Sequence, residues 1–229
     1  GGGGLAAGVS TLAKMLNPNI QVIGVEPANA ACMKASLKAG KVVSLPSAVT
    51  IADGTAVKTP GDIVFPYIQK NLDDIITVED EELIVNFLDV VENHKMVVEN
   101  SGLLTVAALK HLNCKDKRVV SILSGGNMDI ITMSSVVQHG LIERGRVFTV
   151  SVQLPDRPGE LVNVANVIAQ LKGNVIRLEH NQFVSINRNA AVELKITLEA
   201  FGHEHKQQIV DALKEKGYDP KLENPTSLY

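Results

Sequence analysis

The apolar residues of this chain repeat in two different ways, and the change between them limits its possible folds more than any other feature. As far as about residue 140, short and nearly continuous apolar runs alternate with stretches of helical spacing. "IQVIGVEP", "DIITV" and "RVVSILSGG" read as strands buried on both faces, the mark of a parallel sheet covered by helices. Between them, one helix runs through Leu5, Val9, Leu12 and Leu16, and another over "NAACMKASLKAG" ends at Gly40. A long helix is opened by Asp80, Glu81 and Glu82, carboxylates at the favourable end of its dipole. After the third strand a glycine turn leads into "MDIITMSSVVQHG". Strand, glycine turn and helix thus recur, and ligands of open α/β sheets sit beside such turns.

Past "LIERGR" the apolar residues alternate strictly. "RVFTVSVQL" places Phe148, Val150, Val152 and Leu154 on one face. "DRPG" is a tight turn, and Leu161, Val164, Ala165, Ile168 and Leu171 form a helical stripe after it. "GNVIRLEHNQF" and "AVELKITLEA" read as strands, a helix spans His203 to Lys216, and a last strand is expected near Tyr218. That order is β-α-β-β-α-β, a ferredoxin-like arrangement. The expected division is therefore an α/β domain over residues 1–142 and a second domain over 146–229.

Several function classes drop out on composition. A net charge of -3 leaves no electrostatic footprint for nucleic acid or an anionic membrane. Aromatics make up 3% and Trp is absent, so base-stacking platforms are excluded too. No apolar run approaches the ~20 residues that span a bilayer, and no signal peptide pattern is present. Cys32 and Cys114 lack metal-ligand spacing and read as reduced thiols of a cytoplasmic protein.

The chemistry concentrates in two glycine-rich turns. Gly1, Gly2, Gly3 and Gly4 precede a helix at once, so their N–H groups can form a concave cradle for a phosphate. Four glycines alone would read as a flexible tail; the helix that starts immediately after them shifts the reading toward the phosphate site. The spacing matches neither the G-x-x-x-x-G-K-[ST] loop of nucleoside triphosphate sites nor the G-x-G-x-x-G of dinucleotide sites. The second turn, "SILSGGNMD", sets Ser124 at the mouth of an expected strand.

Together, the glycine cradle, "VVENSGLLTVAAL" and "SGGN" resemble the fold-type II pyridoxal-phosphate enzymes, in particular their threonine dehydratase and serine racemase branch. "VIGVEP", "TIADGTAVKTPG" and "DDIITVEDEEL" resemble that branch as well. The resemblance implies that Gly1, Gly2, Gly3 and Gly4, with the amide of Leu5, hold the cofactor phosphate. It places Ser124 against the pyridine nitrogen, where a hydroxyl accepts or donates and does not force that nitrogen to stay protonated. Glu99 falls on an acidic position near the cofactor ring, within Glu99-Asn100-Ser101-Gly102 where the branch has Glu-Pro-x-Gly. Glu26 and Ala30 fall on a cation site whose third member, an Asp in the branch, is Cys32 here; a thiol is a poor ligand for a hard cation. Capping the end of its own strand is the alternative role for Glu26.

The branch also uses a cofactor-anchoring lysine in a Ser-x-Lys-x-Arg-Gly stretch, which this sequence does not contain. The chain is therefore expected to be N-terminally truncated, to hold no catalytic residue of its own and to be inactive alone. For the parent enzyme the resemblance implies deamination of L-threonine, and more weakly L-serine, to 2-oxobutanoate (pyruvate from serine) and ammonia, a lyase step of isoleucine biosynthesis. A serine racemase or other type II lyase is the alternative enzyme, and an amino-acid-binding regulatory module the non-catalytic one.

The second half, from "VSVQLPDRPGELVNVANVIAQLKGNVIRL" onward, resembles the ACT domain, a module that binds amino acids. The resemblance implies an effector site at Asp156, Arg157, Pro158 and Gly159. The free amides of Glu160 and Leu161 would hold a carboxylate there, with Asn174 on the second strand touching an amino group. The implied effector is isoleucine or valine, and sites shared between modules imply a homodimer or homotetramer. His203 and His205, at a polar helix start, are expected to face solvent rather than bind metal.

Overall fold

A computed structural model describes residues 1–181, 192–223 and 225. The chain divides into two compact units, Gly1–Val137 and Gln138–Tyr229. The division falls inside a helix, a few residues before the expected end of the first domain at 142. Among the described residues no helix is long and apolar enough to cross a membrane.

The N-terminal unit is built around a parallel pair, β1 (Ile23–Pro27) and β2 (Asp74–Val78), in the register Ile23↔Asp74 to Pro27↔Val78. Helices α1 (Gly4–Leu16), α2 (Cys32–Ala39) and α3 (Phe65–Asn71) close a small core of Ala7, Met33, Phe65 and Ile68, with Ile75 of β2 against it. Gly40, at φ 70°, ends α2 as its position predicts. Helix α4 (Asp80–Asp89) begins with a reciprocal capping box between Glu79 and Glu82. It then relaxes into a π-helical turn over Val90–His94. Short α5 (Leu104–Ala107) and the longer α6 (Ile130–Glu143) complete the helices. The side chain of Asp129 caps α6, accepting the Ile131 and Thr132 amides.

Two expectations fail in this unit. "RVVSILSGG" is not a strand: no partner strand lies beside it among the described residues, and Val120 is 87% exposed. Its polar contacts run instead to Thr105, whose hydroxyl donates to the Ile122 carbonyl and whose own carbonyl accepts from Ser121. The apolar stripe of α1 does not face the core either. Leu5, Leu12 and Leu16 are exposed, and the helix buries Ala7 and Ser10, because small residues let it approach α3 closely.

The C-terminal unit runs β3 (Val147–Leu154), α7 (Glu160–Gln170), β4 (Asn174–Asn181), β5 (Val192–Glu199), α8 (His203–Glu215) and β6 (Lys221–Glu223). Its antiparallel sheet has the order β4-β5-β3-β6, the ferredoxin-like topology. Phe148, Val150, Val152 and Leu154 all enter the core, as their alternation predicts, and meet Leu194, Ile196 and Leu198 from β5. The other face of β3 is closed with polar groups. The Thr149 and Thr197 hydroxyls share a 2.9 Å hydrogen bond, and Ser151 donates to Glu193. On α7 the buried stripe is Val164, Val167 and Ile168; Leu161 and Ala165, expected in it, are exposed.

The last strand begins at Lys221 rather than at Tyr218. Gly217 turns left-handed at φ 86°, its N–H bonds to Lys214 and that of Tyr218 to Leu213, so Tyr218 still belongs to the helix end. His203 and His205 are not merely solvated. His203 Nε2 lies 2.8 Å from the Glu143 carbonyl, and His205 accepts the Phe201 N–H while its Nε2 meets the Leu171 carbonyl. The expected strand ends at 182–183 and 191, and the terminus at 226–229, lie outside the described residues.

Candidate cofactor site

The four glycines are ordered structure. Gly3 sits at φ 96° as the N-cap of α1, and its carbonyl accepts the first helical bond from Ala7. Gly2 is fixed by the N–H of Gly61, which donates to its carbonyl at 2.9 Å. A Cβ on Gly3 would lie 2.5 Å from the Met33 Cε and 2.6 Å from the Ile68 Cδ1. A Cβ on Gly2 or Gly4 would meet nothing within 4 Å, so one side of the loop is packed and the other open. The amides of Gly4, Leu5 and Ala6 open a 13-residue helix and have no intrahelical acceptor. Open space, unclaimed amides and the positive end of a dipole together fit a phosphate.

The second turn is tied to an acidic residue. Gly125 lies at φ 94°, and a Cβ there would collide with the Glu99 carboxylate at 2.4 Å. The Glu99 N–H donates to the Gly125 carbonyl, and Glu99 Oε2 accepts from the Asn127 amide at 3.1 Å. Gly102 lets the Ser124 carbonyl pass, since a Cβ would stand 2.4 Å from that oxygen. Ser124 is thereby held beside the segment that carries Glu99, and its side chain is half-buried.

Sequence reasoning missed the element that bridges these two turns. Asp53–Thr55 is a single 3-10 turn. Thr55 lies against Gly1, and Gly54 lies where a Cβ would sit 2.9 Å from the Ser101 hydroxyl and 3.4 Å from Glu99. The path from glycine loop to Ser124 thus runs through Thr55, Gly54, Glu99 and Gly125. Its available signal was an Asp-Gly pair inside "TIADGTAVKTPG", a turn-forming dipeptide at the meeting point of two sites.

Residues 1–125, from the glycine loop to Gly125 of the second turn, match the model of the pyridoxal-phosphate dependent enzyme family. The chain belongs to that family. An L-threonine ammonia-lyase of Geobacter sulfurreducens is 39% identical over 95% of this chain and 55% of its own length. A solved threonine deaminase isoform from Solanum lycopersicum shares 35% identity over 61% of this chain and 42% of that one, at a TM-score of 0.57. A serine racemase from Dictyostelium discoideum shares 39% over 57% of this chain and 42% of its own, at 0.52. The chain spans about half the length of the curated relatives it matches.

The geometry of the glycine loop fits a phosphate, and Glu26, expected either at a cation site or as a cap, is engaged with the start of α2. Its carboxylate accepts the Met33 and Lys34 amides at 2.9 Å each and the Cys32 thiol at 3.9 Å, capping α2 rather than its own strand. Burial pushes the Glu26 carboxyl up from its ordinary range, against the lowering effect of those two amides. Burial and the adjacent Glu26 charge push the Cys32 thiol up as well. Ala30 is fully buried next to it. Among the described residues no His, Cys, Asp and Glu side chains gather in a group that could hold a metal.

In the C-terminal unit, Asp156, Arg157 and Pro158 form an exposed turn and Gly159 caps α7 at φ 97°. The Glu160 amide, expected free, is turned toward the Arg157 carbonyl at 3.4 Å, while Asn163 makes the first helical bond to Gly159. Asn174 does not face this turn within one chain. It pairs with Glu199, which pairs with Val147, so it lies at the opposite end of the sheet from Leu154 and the turn that follows. Its amide donates to Glu199 at 3.2 Å.

Proposed function

We propose that this chain supplies the phosphate-binding and pyridine-facing half of a threonine deaminase, with an amino-acid-sensing ACT module attached. The observation that carries the reading is the glycine loop at the start of α1, open on one side and packed on the other. It is supported by relatives named L-threonine ammonia-lyase that align over 95% and 97% of the chain, both units included. The serine racemase match, over 57% of the chain, keeps a racemase as the second reading.

Pyridoxal phosphate, when bound, draws electrons from an amino-acid α-carbon and so eases loss of the α-proton and of the threonine β-hydroxyl. The amides of Gly1 to Leu5 would hold its phosphate and fix its position along the axis of α1. The Ser124 hydroxyl would receive the pyridine nitrogen without imposing a proton on it, which moderates the electron withdrawal and suits elimination. Glu99, fixed by the Asn127 amide, would bring a carboxylate to the ring edge. The anchoring lysine, which serves as base, is not among these 229 residues, so the chain alone is expected to form no 2-oxobutanoate from L-threonine.

The test uses two matched variants. Leu5 and Leu161 each occupy the second position of a helix, where Pro keeps the helix but removes one unpaired amide. Titration of the chain with pyridoxal phosphate, followed by 31P resonance, should saturate in the native chain and weaken about tenfold in Leu5→Pro. Calorimetric titration with isoleucine or valine should show binding that Leu161→Pro weakens and Leu5→Pro leaves alone. An effector gripped by one copy's turn and a second copy's Asn174 would make that binding dimer-dependent. Phosphate binding that Leu5→Pro leaves untouched would remove the glycine loop from the site.

A further inference from the structure

The glycine loop is held from behind by its neighbours, and one of these contacts rests on a buried charge. The Gly61 N–H fixes Gly2 and Thr55 lies against Gly1, whereas the start of α2 reaches both Gly1 and Gly3. Glu26, 3% exposed on β1, sets that start: Oε1 accepts the Met33 amide and Oε2 the Lys34 amide, each at 2.9 Å. Met33 Cε then fills the space a Cβ on Gly3 would take, lying 2.5 Å from that position. The Cys32 thiol stands between the loop and the carboxylate, 3.8 Å from the Gly1 carbonyl and 3.9 Å from Glu26 Oε1. Cys32 and Met33 are both buried, so water does not stand in for either contact.

What the carboxylate holds bears on the open side of the loop. Gly3 is the N-cap of α1, and its left-handed backbone directs the unpaired amides of Gly4, Leu5 and Ala6. Bonds from a buried carboxylate to backbone amides are strong and directional, so the start of α2 is a firm backing for Gly3. The same residues do not fit a cation. Both Glu26 oxygens face amides, Ala30 is fully buried, and Cys32 offers a thiol where a hard cation takes oxygen.

We infer that Glu26 is a positioning residue for the glycine loop: through Cys32 and Met33 it braces Gly1 and Gly3, in place of the cation implied for the resembling branch. The brace stands on these contacts alone, while its effect on cofactor affinity rests on the phosphate reading proposed above.

The test reads amide hydrogen exchange in the full 229-residue chain at Ala7 and Gly61, whose N–H groups bond the Gly3 and Gly2 carbonyls. In Glu26→Gln, which sets a donor against an α2 amide, exchange at both should quicken about tenfold and pyridoxal phosphate, followed by 31P resonance, should bind about tenfold more weakly. Ser36→Ala is the control, since it loosens the same helix by removing the hydrogen bonds to Val43 but leaves the brace intact. It should change neither readout by more than about twofold. Cys32→Ala keeps the α2 cap and should quicken exchange at Gly61 about threefold, which decides the question if Glu26→Gln does not fold. Magnesium chloride should leave the native chain's exchange unchanged and slow it in Cys32→Asp, where two carboxylates face each other. Unchanged exchange in Glu26→Gln and Cys32→Ala, equal quickening in Ser36→Ala, or native exchange that slows with magnesium overturns the brace. Quickened exchange in a chain that binds no pyridoxal phosphate would instead remove the phosphate reading and leave the brace standing.

Discussion

Each unit starts a helix from a glycine in the left-handed region, at φ 96° for Gly3 and 97° for Gly159, yet only one of them is enclosed. A Cβ on Gly3 would strike Met33 and Ile68, whereas one on Gly159 would meet nothing within 4 Å. The contrast extends to the units themselves. The C-terminal unit buries its alternating strands in one core of its own, from Phe148 to Leu213. The N-terminal unit packs tightly at its glycine loops and leaves Leu12, Met15, Val120 and Ile131 in solvent. Backbone shape is thus specified at the glycine loops of the N-terminal unit, and side-chain burial in the sheet of the C-terminal unit.

The sharpest way to break this comparison is to remove equal volumes from both units. Leu194, fully buried on β5, should cost about 2–5 kcal/mol as Leu194→Ala, read from urea unfolding of the C-terminal unit. Leu12, 57% exposed on α1, should stay within about 0.5 kcal/mol as Leu12→Ala. A large loss at Leu12 would show that α1 is covered in solution.

How far the sequence was legible follows the same line. Strict alternation in β3 predicted Phe148, Val150, Val152 and Leu154 correctly because a half-buried strand needs only its own period and one neighbour. Continuous apolar runs carry less information. "DIITV" is a strand because β1 pairs with it, and "RVVSILSGG" is not, because no strand lies beside it among the described residues. The partners of Glu26 were not legible for a similar reason. A carboxylate near the end of a strand caps something only once the chain returns, seven and eight residues on, and offers the Met33 and Lys34 amides. That the glycines open a helix was legible, but the Asp53–Thr55 turn behind them depends on contacts some fifty residues apart, which no local pattern records.

Glu26 gives the next prediction in size. Glu26→Ala strips the cap from α2 inside the core and should cost about 1–2 kcal/mol in denaturant unfolding. Because burial raises the folded carboxyl above its ordinary value of 4.5, its contribution is fully present below that pH. It is lost as pH rises through the raised midpoint. Glu26→Gln should abolish that part of the pH dependence. A slope unchanged in Glu26→Gln would mean another group carries it.

Smaller still is the difference between the two glycine caps. Gly159→Ala should cost about 1 kcal/mol, the strain of a side chain at positive φ, and Gly3→Ala about 1 kcal/mol more as Met33 and Ile68 move aside. Thermal unfolding of both variants checks this, and equal costs would mean that the packing around Gly3 yields freely.

The least effect is expected from two exposed ion pairs, one in each unit, which titrate at opposite ends of the pH scale. The Lys14 ammonium and the Val22 amide hold the Asp73 carboxyl below its ordinary 3.8. What Asp73 contributes is present above that value and fades as pH falls through the lowered midpoint. Lys195 is the mirror image. Its hydrogen bond to Glu223, with the Glu193 charge nearby, raises its ammonium above 10.5. Its contribution is present below that value and fades as pH rises through the raised midpoint. Carboxyl and ammonium titrations by NMR should show Lys14→Met returning Asp73 upward and Glu223→Gln returning Lys195 downward. Both shifts should shrink in 1 M salt, where charges are screened within about 3 Å. An Asp73 midpoint that resists salt would mean the Val22 amide, not the ion pair, holds the carboxylate.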